Sequence, residues 1–212
     1  MSAGWSRWAA GARALRNWGA TDEERRCAFP GDELVPEPAD DVTRAVTVEA
    51  PAEAVWRWLV QIGADRGGLY SYDWLENLFG LRVHSADEVR PELQDLAVGD
   101  EVRLVRRGWL GMKEGFALPV VALDPGRCIV LREQPPAQPW DAVWSFHVRA
   151  LGPGRCRLVS RSRSARQGGF ARLATGIMDP VTLVMTRKML LGIKGRSEGH
   201  AGLSAPEARV GA

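Results

Sequence analysis

Hydrophobic and polar positions change period several times along this chain, and the changes divide it. Trp5, Trp8, Ala12 and Leu15 recur at helical spacing, with Arg7, Arg13 and Arg16 elsewhere on the cylinder. That pattern predicts an amphipathic N-terminal helix within residues 1–26. Residues 27–41, CAFPGDELVPEPADD, hold three prolines and five acidic side chains without an apolar period, and read as an extended linker. From residue 42 the period becomes two: Val42, Val46 and Val48 share one face of a strand. Ala50-Pro51 then opens a helix, because proline at the first helical position loses no needed donor. Val55, Trp58, Leu59 and Ile62 follow at i, i+3, i+4 and i+7, a buried stripe that ends at Arg66-Gly67-Gly68. A second short helix fits Asp73 to Phe79, between Ser71 as cap and Gly80 as stop.

After residue 95 the chain turns to strands. Glu101–Arg106 follows a turn at Val98-Gly99-Asp100, and a further run ends at Leu123. Asp124-Pro125-Gly126 is a hairpin turn into Cys128–Glu133. In Trp140–Ala150, Trp144, Phe146 and Val148 occupy one face, and Ser145, His147 and Arg149 the other. Gly152-Pro153-Gly154 leads to Arg155–Arg163, the last strand. Asp179-Pro180 predicts a cap and a long helix from about 180 to 197, with Val181, Val184, Met185, Met189 and Gly192 on one face. Leu183 and Leu190 fall opposite and imply a second apolar contact, either the N-terminal helix or a partner. Antiparallel strands with segregated helices define an α+β domain over residues 42–198, followed by a loose tail over 199–212. A curved sheet with a long helix across it leaves a concave space, the usual place for a small ligand.

Four stretches carry a family resemblance. Val46-Thr47-Val48-Glu49-Ala50-Pro51 followed by Val55-Trp56-Arg57-Trp58-Leu59 resembles the opening strand and helix of the START-like superfamily. This is the helix-grip fold, also called SRPBCC or Bet v 1-like, which includes polyketide cyclases and lipid-transfer proteins. Leu96-Ala97-Val98-Gly99-Asp100-Glu101-Val102 is similar to a strand entry often seen there. Gly67 to Asn77 and Met185-Thr186-Arg187-Lys188-Met189-Leu190 resemble a bacterial branch. The resemblance implies a curved antiparallel sheet wrapped around a long C-terminal helix, and a pocket for a hydrophobic or amphipathic, lipid- or polyketide-like molecule. It carries over no catalytic residue, because the superfamily shares a pocket and not a motif.

Composition narrows function mainly by exclusion. The chain has 212 residues, 45% hydrophobic and 25% charged, with a net charge of +2. That balance gives no electrostatic case for nucleic acid. The 28 Lys and Arg include only Lys113, Lys188 and Lys194, so arginine dominates. Cys27, Cys128 and Cys156 are odd in number and widely spaced, which suggests neither a disulfide framework nor a zinc site. Without a long apolar run no transmembrane helix is expected, although residues 1–20 mix Trp and Arg as an interfacial membrane helix does. A reducing cytoplasm is the expected compartment. Nucleotide-binding, nucleophile-elbow and zincin motifs are absent from the sequence, and no cofactor or metal is expected.

The candidate ligand-binding residues are Trp58, Tyr70, Tyr72, Trp74, Glu133, Trp144 and Met185. Tyr70 to Asn77 packs two Tyr, one Trp and two carboxylates together, so it lines a cavity entrance or staples the core. If Ile129 and Leu131 face the cavity, alternation places Glu133 there too. His84, His147 and His200 lie far apart, with His147 facing outward. Arg157, Arg161 and Arg163 share a face with Val159, which reads as one solvated basic face of an edge strand. Three functions stay open: a binder or carrier, an enzyme of the cyclase or dehydratase type, and a protein–protein adaptor with a filled core. The polar inventory of the cavity separates the first two, and a cavity of any kind argues against the third.

Overall fold

The computed structural model describes residues 16–71, 85–109, 113–134, 141–165 and 169–203, with side chains of the last segment described for 181–199. Tyr72, Trp74, the helix expected at 73–79, His84 and residues 1–15 lie outside the described residues. Six strands form one antiparallel sheet: β1 (Asp40–Val48), β2 (Glu101–Val105), β3 (Phe116–Asp124), β4 (Cys128–Glu133), β5 (Ala142–Gly152) and β6 (Arg155–Ser164). Their spatial order is β1-β6-β5-β4-β3-β2. Among the described residues three named helices join them: α1 (Asp22–Arg26), α2 (Ala52–Val60) and α3 (Gly169–Leu203). Strands β2 to β6 form a meander, and β1 closes onto β6 by pairing Val42 with Ser162 and Val48 with Cys156. This is the helix-grip architecture, α+β, with the long C-terminal helix held against one face of the curved sheet.

The core lies between the sheet's inner face and the two longer helices. Val46, Val48, Phe146, Val148, Leu158, Ile129 and Leu131 meet Val55, Trp58 and Leu59 of α2 and Met189, Leu190 and Ile193 of α3. On α3 the buried positions Thr186, Met189, Leu190, Ile193 and Ser197 follow helical spacing, so one stripe faces the sheet. Gly192 sits where this helix crosses the backbone of Tyr70, and a Cβ there would run into the Tyr70 carbonyl oxygen. Tyr70 itself holds a left-handed φ of 54°, an uncommon setting for a bulky residue.

Several sequence expectations change. Helix α3 begins at Gly169 and passes through Pro180, so Asp179-Pro180 is not its cap, and the helix runs on to Leu203, beyond the expected boundary at 198. Leu190 belongs to the core stripe, whereas Val181 and Val184 are 47% and 46% exposed. Met189 and Gly192 of the expected face do pack inward, so the buried stripe is rotated from that face and not opposite to it. At the N-terminal side Arg16 is helical and α1 covers Asp22–Arg26, while residues 1–15, where most of the amphipathic helix is expected, lie outside the described residues. In α1 the Thr21 cap and Glu24 satisfy each other's backbone donors in a capping box.

The expected linker is an ordered strap. It carries a 3₁₀ turn at Asp32–Leu34, buries Phe29, Asp32 and Val35 on the sheet's outer face, and merges into β1 at Asp40. The arginines of β6 explain why: the strand is central, not an edge, and its basic face is covered. Arg161 is 4% exposed and pairs with Asp32 at 2.8 Å and with Asp41 at 2.9 Å. Arg157 reaches Glu24 at 2.7 Å, and Arg163 reaches Asp32 at 3.4 Å. The acidic residues that make the strap look solvated are the counter-ions of the arginines that make β6 look solvated. His147 lies under the same strap, 3% exposed, with its ring 4.5 Å from that of Phe29.

Candidate functional site

A cavity of about 380 Å³ opens between the inner face of the sheet and α3. Its floor comes from four neighbouring strands. Arg44 projects from β1, Ser162 from β6, Trp144 from β5 and Glu133 from β4, all on the face that alternation turns inward. A register shift between Arg103 and Val105 lets both Leu104 and Val105 line the wall. Leu69 and Ser71 close one side, while Val181, Thr182, Met185, Thr186 and Met189 of α3 form the roof.

The two charged groups among the described lining residues differ in setting. Arg44 is 6% exposed, and donates to the Arg16 carbonyl at 3.1 Å and to the Thr186 hydroxyl at 3.2 Å. It therefore ties the cavity to α3 and to the N-terminal segment. Glu133 is half-buried at the end of β4, and desolvation raises its pKa to about 7. Three strand intervals separate β4 from β1, about 14 Å across the sheet. The cavity floor thus carries an acidic end and a basic end with an apolar stretch between them.

Trp144 forms that stretch. Its indole N–H donates to Ser160 Oγ at 2.9 Å, and its ring tilts over Phe146 with centroids 4.7 Å apart. The polar edge of the indole is engaged within the sheet, so the ring meets the cavity as an aromatic surface. Ser71 Oγ lies 3.8 Å from Met185 Sδ. Among the described residues no group of three His, Cys, Asp or Glu side chains stands together as a metal site.

Of the candidate residues, Glu133, Trp144 and Met185 come together in this lining. Trp58 and Tyr70 do not. Each is 1% exposed, and their rings pack edge to face with centroids 5.8 Å apart, beneath the Arg196 guanidinium. The buried stripe of α2 and the crossing at Gly192 draw both rings into the core. Burial pushes the Tyr70 phenol up to about 12, so it stays protonated. Arg44, Leu104, Val105, Ser162 and Met189 were not singled out in the sequence. Arg44 had a signal, since it shares the face of Val42, Val46 and Val48, but its charge disguised an inward position.

No protein-family model and no curated protein matches the sequence. Solved structures do. The Zhui aromatase/cyclase from a Streptomyces species is 20% identical, covering 75% of this chain and 93% of that one at a TM-score of 0.44. A Thermobifida fusca protein is 22% identical over 74% and 95% of the two chains, at a TM-score of 0.45. A Thalictrum norcoclaurine synthase is 13% identical over 76% and 95%, at a TM-score of 0.42. All three likenesses lie below 25% identity and below a TM-score of 0.5. Among the described residues no helix is long and apolar enough to cross a membrane.

Proposed function

We propose that this protein binds a small amphipathic molecule in the cavity between its sheet and α3. The observation that carries this reading is the lining: about 380 Å³ walled by Leu69, Leu104, Val105, Trp144, Met185 and Met189, with charged groups confined to its ends. Volumes of this size suit drug-sized ligands, and mostly apolar walls with a few placed polar groups are what such ligands require. A filled core, the premise of an adaptor, finds no support in this lining. Lipid- and polyketide-like molecules are the candidate class.

One observation favours an enzymatic variant of the same reading. A carboxyl titrating near neutrality, like Glu133 at about 7, exchanges a proton readily with a bound substrate. Catalysis would add to binding and would not replace it.

Fluorescence titration with N-phenyl-naphthylamine tests the binding reading. Saturable one-to-one binding is expected, and Met185→Trp, which fills the roof, should abolish it while leaving the thermal midpoint within a few degrees of wild type. Binding that is non-saturable, or that survives the filled cavity, would remove the assignment.

A further inference from the structure

A second cavity, of about 720 Å³, opens beside the β3–β4 turn. It is lined by the strap at Cys27–Pro30, the turn at Asp124–Cys128 and β5 from His147 to Ala150, all apart from the inner cavity described above. Two side chains of β5 give it its chemistry. His147 and Arg149 lie two residues apart, so alternation sets both on the outer face.

The His147 ring is 3% exposed, and its Nε2 lies 2.9 Å from Ser145 Oγ. The Ser145 hydroxyl donates onward to the Arg161 carbonyl at 3.5 Å. It therefore accepts from the imidazole, which assigns the proton to Nε2 and leaves Nδ1 a bare acceptor. Nδ1 has no hydrogen-bond partner among the described residues, and it is not one of the sealed polar atoms of the interior, so it opens to the cavity that the ring lines. Burial lowers the pKa of the ring to about 4, so the acceptor persists at neutral pH.

Arg149 supplies the complement. Arg132, Arg157, Arg161 and Arg163 on the same face each hold a carboxylate. Arg149 meets none within ion-pair distance among the described residues; its guanidinium is exposed and stands 6.0 Å from the centre of the Phe29 ring. The imidazole approaches the same ring at 4.5 Å, so both groups flank one aromatic side chain of the strap. Of the carboxylates lining the cavity, Asp124 pairs with Arg127 at 3.7 Å, and Glu53 stands on α2, which packs on the inner face.

From this arrangement we infer that the outer cavity is a second binding site, and that it takes a small hydroxy-carboxylate. The carboxylate pairs with the Arg149 guanidinium, the hydroxyl donates to His147 Nδ1, and the apolar body lies along the strap at Phe29 and Pro30. A donor next to an anion is what a bare acceptor beside an unpaired guanidinium selects.

Calorimetric titration of the intact protein at pH 7 with mandelate, and with phenylacetate, which lacks the hydroxyl, is the test. Mandelate should bind one-to-one and about tenfold tighter than phenylacetate, and Arg149→Met should weaken both about tenfold or more. His147→Phe should bring mandelate down to the level of phenylacetate, whose own affinity stays within about twofold. Met185→Trp, which fills the inner cavity, should leave mandelate binding unchanged. Should His147→Phe misfold, Arg149→Met decides, because its position is exposed. The inference is overturned if neither acid binds, if the two acids bind alike, if Arg149→Met keeps full affinity, or if Met185→Trp abolishes mandelate binding. None of these outcomes bears on N-phenyl-naphthylamine, which reports the inner cavity.

Discussion

The two faces of one sheet handle buried charge in opposite ways. On the outer face, Arg157 and Arg161 are buried with carboxylates delivered by the strap, and every pair joins residues more than a hundred positions apart. Burial works against the Glu24 carboxylate, yet hydrogen bonds and charge from Arg157, with help from Thr21, hold its pKa below the ordinary value. On the inner face, Glu133 stands at the end of an apolar wall, and desolvation raises its pKa to about 7. Charge that is neutralised becomes structure. A carboxyl whose pKa is raised beside a cavity marks a place for chemistry.

The largest expected effect breaks the outer face. Arg161→Met leaves Asp32 and Asp41 beneath the strap without their guanidinium, and removing one partner of a buried pair costs about 3–5 kcal/mol. At this chain length that lowers the thermal midpoint by roughly 10 °C. Pairing it with Asp32→Leu should recover part of the loss. A double variant whose loss equals the sum of the two single losses would show that the pair is not coupled.

Acid and base then act on the two faces with opposite sign. The folded-state pKa of Glu133 lies above the ordinary carboxylate value, so the stability it confers is present at low pH and is lost as pH rises from about 4.5 to 7. Glu133→Gln should therefore stabilise the protein at pH 8 by about 1–3 kcal/mol, and by much less at pH 4. His147 behaves in reverse: burial, with Asp32 opposing and Arg161 and Arg149 assisting, lowers its pKa to about 4. Its contribution is lost as pH falls from about 6.5 to 4, because the unfolded chain then takes up a proton that the folded ring refuses. Chemical denaturation across pH 4 to 8 in His147→Gln and Glu133→Gln separates the two limbs. The comparison fails if one variant flattens both.

Two smaller changes probe the supports of each face. Gly192→Ala pushes α3 off the Tyr70 backbone and should cost about 1–3 kcal/mol, with a matching loss of probe affinity because α3 roofs the cavity. Thr21→Ala removes the capping box of α1 and should cost about 1 kcal/mol, without touching ligand affinity. Equal effects on ligand binding would mean that the strap and the cavity are not energetically separate.

Much of the inner face was legible from local pattern, because alternation is a property of the backbone and needs no partner to be read. It placed Trp144 and Phe146 opposite Ser145 and His147, and conditionally set Glu133 beside Ile129 and Leu131. It carried Arg44 inward too, where charge argued against the position. The same rule failed on the outer face. Arg157, Arg161 and Arg163 were correctly set on one side of β6, but whether that side met water depended on Glu24, Asp32 and Asp41. Those partners come from a segment with no periodicity of its own. The face of α3 and the burial of Trp58 and Tyr70 were likewise settled by contact between elements.

By itself, then, the sequence determined the order of the strands, the helix after Pro51, the hairpin at Asp124-Pro125-Gly126 and the side of each strand on which a residue falls. These follow from short-range sterics and from the period of apolar positions, which a few neighbouring residues express. Only the tertiary structure decided which charges were buried, where α3 begins, that the strap is part of the domain, and that Arg44 and Glu133 share one cavity. Each of those depends on desolvation and on partners brought from distant parts of the chain. The energy of a charge is set by what surrounds it in space and not by what precedes it in sequence.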